Sequence, residues 1–266
     1  MNTENRKNTP WIILLTFAGF ILFFFIELKY FGEIRQWIVV NAAVGHLGIS
    51  HFITYVIVGL PVLLALMIMH RPGKLLESLG LSGGILRAIV IAGICTLPMF
   101  IGYAIVFDWN PEVNATRIIA GVICAGLFEE IYFRGFLFGQ LYRYTKLGFV
   151  PSILISAFLF AAVHLSQSQD PGTIFGIFMI TFAGAIFFAW TYIEWENNLW
   201  VPVFLHMFMN LSWMLFSAGE NALGGFFSNL FRILTIAFVI AGTIRYKKKK
   251  GLKFHVNRDT LWIKPD

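Results

Sequence analysis

The chain has 266 residues, of which 58% are hydrophobic and 13% charged, with a formal net charge of +6. A typical soluble domain carries roughly 25% charged residues, so this chain lacks the material for a polar skin. Its mean hydropathy of +0.75 and its 29 phenylalanines, a residue type that inserts favourably in a bilayer, point to an all-α polytopic membrane protein. The two cysteines, Cys95 and Cys124, both lie in apolar runs, which excludes a disulfide framework and a cysteine-rich metal cluster.

A membrane-spanning helix needs about 20 mostly apolar residues. Eight segments qualify in chain order: 11–26, 52–69, 85–107, 118–141, 149–165, 173–193, 200–217 and 226–244. The first follows Arg6 and Lys7 and imitates a signal peptide, but no small-residue cleavage site comes after it, so it reads as an uncleaved span. The stretch from Glu27 to Ser50 is amphipathic in its first half and is expected to lie at the interface. His46 and His51 then fall in the first external loop, His70 at a helix end and His255 in the tail. None of the four is assigned chemistry.

The basic residues orient the chain. With the N-terminus inside, the inner side holds Arg6, Lys7, Arg71, Lys74, Arg87, Arg143, Lys146 and the eight basic residues from Arg245 to Lys264, against Lys29, Arg35, Arg117 and Arg232 outside. The positive-inside rule therefore places both termini in the cytoplasm. The charge distribution argues for a membrane partner and against nucleic acid. The tail RYKKKKGLK reads as a stop-transfer anchor attracted to anionic headgroups, and Glu194 and Glu196 read as a polar turn on the cytoplasmic side.

The fourth span contains GLFEEIYFRGFLFG, residues 126–139. Glu129, Glu130 and Arg134 each cost about 2.5–3.5 kcal/mol at the centre of a span, and such residues are functional by default. Glu130 and Arg134, at i and i+4, share a helix face and are expected to pair. Glu129 lies about 100° further round an α-helix and is left for another partner. FAAVH places Phe160 and His164 at i and i+4, and HMFMN does the same for His206 and Asn210. A carboxylate, two imidazoles and a carboxamide can together activate water and stabilise an oxyanion.

EEIYFR, FAAVH and HMFMN, in this order within a polytopic chain, resemble the EExxxR, FxxxH and HxxxN motifs of the CPBP intramembrane proteases, the CAAX protease and bacteriocin-processing (Abi) family. The motifs cover residues 129–210. The resemblance implies a membrane endopeptidase cutting a membrane-associated peptide or a lipidated protein. It implies that Glu129 and His164 activate water, that His206 and Asn210 hold the oxyanion, and that Glu130, Arg134 and Phe160 support the site. No metal is assigned. Glu129, His164 and His206 would be the ligands if the enzyme used zinc, with a fourth position for water. The expected organisation is residues 1–117 for the N-terminal helices and interfacial segment, 118–217 for the catalytic core built by spans four to seven, and 218–266 for the last helix and basic tail. The expected location is a bacterial plasma membrane.

Two other classes compete. A non-catalytic scaffold or bacteriocin-immunity protein would not need the full set of polar residues. A proton-coupled transporter would be expected to show internal repeats and paired broken helices, which the sequence lacks. One expectation conflicts with the enzyme reading: regular spans would leave His164 and His206 about 10–15 Å apart in depth.

Overall fold

The computed structural model describes residues 9–41 and 47–264. His46, Arg6 and Lys7 lie outside them. The described chain is helical, and among its residues the isolated pairing of Leu147 with Ile263 is the one β-type contact. The helices are α1 (Thr9–Asn41), α2 (Leu47–Val58), α3 (Leu60–Met69), α4 (Leu75–Leu79) and α5 (Ile85–Val106). A continuous helix over 115–144, here α6, follows, then α7 (Phe149–Val163), α8 (Pro171–Glu194), α9 (Trp200–Leu215) and α10 (Phe226–Lys250).

Each of the eight apolar segments is helical. Five helices are long and apolar enough to cross a membrane, or six if α2 and α3, bent by 42°, count as one span. The count of eight is therefore not reached on length and composition. The reason is physical: α6 carries three charges in its middle, and α9, with 16 residues, extends about 24 Å at 1.5 Å per residue, short of a hydrocarbon core of about 30 Å.

The interfacial segment expected after the first span is instead a continuation of it. α1 runs unbroken for 33 residues, so Glu27 sits inside a helix rather than beyond one. His51, expected in a loop, lies within α2 and packs edge-on against Phe31 and Tyr55.

α6 is the unusual element. Ile119–Phe138 bonds in the π pattern, i to i+5, between short α-helical ends. Such geometry is rare and concentrates at functional sites. Its turns are wider than 3.6 residues, so adjacent side chains diverge less than an α-helix would make them. The core forms around this helix. Phe133, Phe136, Leu137 and Phe138 of α6 pack with Phe20 and Phe23 of α1, Phe160 of α7, and Ala185 and Ala189 of α8. Ser156 of α7 donates to the Phe133 carbonyl at 2.9 Å, tying α7 to α6 one turn before Phe160.

The turn that leads into α9 is packed against the rest of the protein. The turn before it uses left-handed backbone at Glu196 and Asn197, and Trp195, Asn198 and Leu199 are buried. Leu199 donates its N–H to the Gly80 carbonyl at 2.9 Å. Two glycines of α6 admit α9 at close range: a Cβ on Gly135 would stand 3.0 Å from Leu199 Cδ2, and one on Gly126 would stand 3.0 Å from the Met207 backbone nitrogen.

Candidate active site

That close packing decides where His206 goes. With Leu199 against Gly135 and Met207 against Gly126, the residue between them on the inner face of α9 meets the middle of α6. His206 Nδ1 lies 2.8 Å from Glu130 Oε1, and its Nε2 lies 3.9 Å from Glu129 Oε2. Both glutamates thus face one imidazole. The expectation that they point about 100° apart rested on α-helical geometry, and the π-type winding of α6 narrows that divergence.

Glu130 is fully buried and pairs with Arg134, also fully buried, at 3.1 Å between Oε1 and Nη1. The i, i+4 pairing expected from the sequence is present. Glu130 Oε2 and the guanidinium nitrogens of Arg134 find no hydrogen bond of good geometry among the described residues. A buried pair satisfied this poorly is less favourable than apolar residues of the same volume. Its presence makes sense as support for the site rather than for stability.

Phe160 is the second support. The Arg134 guanidinium carbon sits 4.0 Å from the centre of its ring, and the His164 imidazole lies 4.6 Å from the same centre. The FxxxH spacing therefore brings both the arginine and the histidine against one ring. His164 follows the last residue of α7 and opens a 3-10 turn, His164–Gln167. Its Nδ1 is 2.7 Å from the Phe160 carbonyl. A carbonyl only accepts, so Nδ1 carries the proton and Nε2 of the neutral ring presents a lone pair. The polar stretch after it is a capped connection: Asp170 accepts from the Thr173 N–H at 2.8 Å and starts α8.

No hydrogen bond or ion pair joins His164 to Glu129 among the described residues, nor do any three His, Cys, Asp or Glu side chains there converge as a metal would require. The Glu129, His164 and His206 set named for zinc does not fit a metal in this arrangement. Asn210, one turn beyond His206, donates from Nδ2 to the Gly121 carbonyl at 3.0 Å. Its second amide hydrogen is left for another acceptor.

Three side chains at the site escaped the sequence reading. Phe188 of α8 stacks on His206 with centroids 5.4 Å apart and also reaches Arg134, at 5.6 Å. One phenylalanine in a chain with 29 carries no signal. Glu27 and Tyr55 are both within electrostatic reach of Glu129. Glu27 lies one turn from Phe23, which packs 4.3 Å from Tyr132, and one turn from Phe31, which packs 4.9 Å from Tyr55. Tyr132 closes the group by donating to the Tyr55 carbonyl at 2.7 Å. An acidic residue at the end of an apolar run was the available signal for Glu27, and ending the span at residue 26 set it aside.

Fold and site together define an all-α, multi-pass membrane protein in which buried Glu130, Arg134 and His206 stand beside the partly exposed Glu129. Residues 111–212 match the family described as Rce1-like, type II CAAX prenyl endopeptidase Rce1-like. The chain is also 33% identical over 93 residues to the "Putative membrane peptidase YdiL" of Bacillus subtilis (strain 168). That alignment covers 35% of this chain and 34% of the relative's length. No solved structure matches significantly. By this central region the chain is similar to the CAAX prenyl endopeptidase family, and it spans about a third of the length of the curated relative it matches.

Proposed function

We propose that the protein is an intramembrane endopeptidase that hydrolyses a peptide bond in a membrane-associated peptide or a lipidated protein. The observation that carries this reading is Glu129. It is the one partly exposed carboxylate of the central charged group, 22% accessible and 3.9 Å from Nε2 of His206, a ring whose orientation Glu130 fixes.

In this mechanism a water molecule sits between Glu129 and His164 Nε2. One of them takes a proton as the water oxygen bonds to the scissile carbonyl carbon. The carbonyl π electrons move to oxygen, and the oxyanion is met by Asn210 and by His206 Nε2. Because Glu130 already engages the Nδ1 proton of His206, Nε2 donates only when the ring carries both protons. The tetrahedral intermediate collapses as the proton passes to the leaving nitrogen, which breaks the C–N bond. The scheme uses no metal, in keeping with the donor geometry. Glu130 and Phe160 act as positioning residues, one on His206 and the other on His164.

We place the protein in a plasma membrane with both termini cytoplasmic, on the distribution of basic residues. Comparative peptidomics of membranes with wild-type protein and with Glu129→Gln tests the activity and names substrates. Peptides that appear only with wild-type protein are expected, whereas identical profiles contradict the enzyme reading.

A further inference from the structure

Residues 245–264 contain eight lysines and arginines against one acidic residue, Asp259. In sequence this is a polybasic tether, but the chain folds it. Lys247 is buried and pairs with fully buried Glu194 at the end of α8, 2.5 Å away. The same carboxylate accepts from the backbone N–H groups of His255 at 3.1 Å and Val256 at 2.8 Å. The polar cytoplasmic turn expected at Glu194 is thus an internal anchor. Lys247 also donates to the Lys253 carbonyl at 2.9 Å, closing the turn that begins at Gly251.

Further on, the tail caps a transmembrane helix. Gly148, Phe149 and Val150 donate to the carbonyls of Trp262, Thr260 and Leu261 at 2.6, 2.8 and 2.8 Å. These are donors at the start of α7, which an isolated helix leaves without partners. The folded tail is therefore held where α7 begins and where α8 and α10 end, a level set by three apolar helices and so at the edge of the bilayer.

Its outer face has two parts. Trp262 is 64% exposed and Ile263 73% exposed, although the backbone of both is fixed against α7. Arg245, Lys248, Lys249, Lys250, Lys253 and Arg258 of the same segment are exposed as well. An indole favours the membrane interface, where an amphipathic ring meets headgroups, and clustered basic residues next to a span attract anionic lipid.

We propose that residues 245–264 form a preshaped foot seated on an anionic phospholipid leaflet, with Trp262 and Ile263 entering the upper acyl region while the exposed lysines and arginines meet lipid phosphates. The foot differs from a tether because its apolar and basic parts are held in register by Glu194 and by the start of α7. Lipid charge then acts on the stability of the whole helical body, through the cap on α7.

The test uses the full chain in nanodiscs of phosphatidylcholine alone or mixed with phosphatidylglycerol. An Ile263→Cys variant carries a fluorescent label, since Cys95 and Cys124 are buried. Quenching by lipids bearing a nitroxide near the headgroup end of the acyl chain is expected in the mixed discs, together with a Tm rise of roughly 2–4 °C over phosphatidylcholine, the size of a modest gain for a chain of this length. Replacing Lys248, Lys249, Lys250 and Lys253 by Gln should abolish the rise without lowering Tm in phosphatidylcholine. An unquenched label, a Tm indifferent to lipid charge, or a label shielded by disulfide-linkable contact with a second copy would each overturn the proposal.

Discussion

Glu130 holds His206: its Oε1 lies 2.8 Å from the ring Nδ1, and neither group is open to solvent beyond a small fraction of the imidazole. The same oxygen pairs with Arg134. One buried carboxylate thus links the arginine of its own helix to the histidine of another, and it fixes which nitrogen of that histidine faces Glu129.

Arg134→Ala should lower the yield of folded protein, because it strands Glu130 as an unpaired buried charge. Breaking such a pair costs roughly 3–5 kcal/mol. The double variant Glu130→Gln/Arg134→Met removes both charges and should recover most of that stability while cleavage stays impaired. Thermal melting of the purified variants separates the two effects, and a double variant no more stable than Arg134→Ala would contradict the pairing argument.

The buried Glu194–Lys247 pair obeys the same rule. Lys247→Ala should destabilise by a similar amount and loosen the tail, so that limited proteolysis cuts between Gly251 and Lys264. Wild-type resistance in Lys247→Ala would show that the tail is held by other contacts.

Stability should fall on mild acidification. Burial holds the His70 imidazole below its ordinary range, the hydrogen bond to Gln140 partly offsets this, and Arg143 reinforces it. The folded state therefore binds this proton more weakly than the unfolded chain, whose imidazole titrates near 6.5. The stabilisation is present in full above about pH 6.5 and is lost as pH falls through the lower folded value. Tm measured from pH 8 to pH 5 should drop less steeply for His70→Gln than for the wild type.

How much of this was legible in the sequence depends on what each feature required. The charged motif stood out because charges in apolar runs are costly, and the Glu130–Arg134 pairing needed only one helix. Contacts between helices were not readable. The approach of α9 to α6 depends on Gly126 and Gly135, and their use shows only once the partners Met207 and Leu199 are known. The π-type winding of α6 has no periodic signal in so uniformly apolar a segment, so the divergence of the two glutamates was overestimated. The fold of the tail was hidden because its lysines look alike in sequence, and only Lys247 turns inward.

Asn210→Ala should act on the transition state, with kcat/KM reduced by the equivalent of about 2.7–4 kcal/mol if its free amide hydrogen meets the oxyanion. An unchanged kcat/KM in a folded variant would remove Asn210 from that role. Chelators should leave the wild-type rate unaltered, since the donor groups do not converge on a metal; loss of activity restored by zinc would move Glu129 and the histidines to ligation.

The central claim is that Glu129, with His164, activates water. Single-turnover cleavage of an identified peptide by purified, reconstituted protein tests it most directly. Glu129→Gln, His164→Ala and the double variant should all melt like the wild type, and the double should be scarcely slower than either single, as for residues acting as a unit. Substantial cleavage by Glu129→Gln, or rate losses that simply multiply in the double variant, would contradict the account.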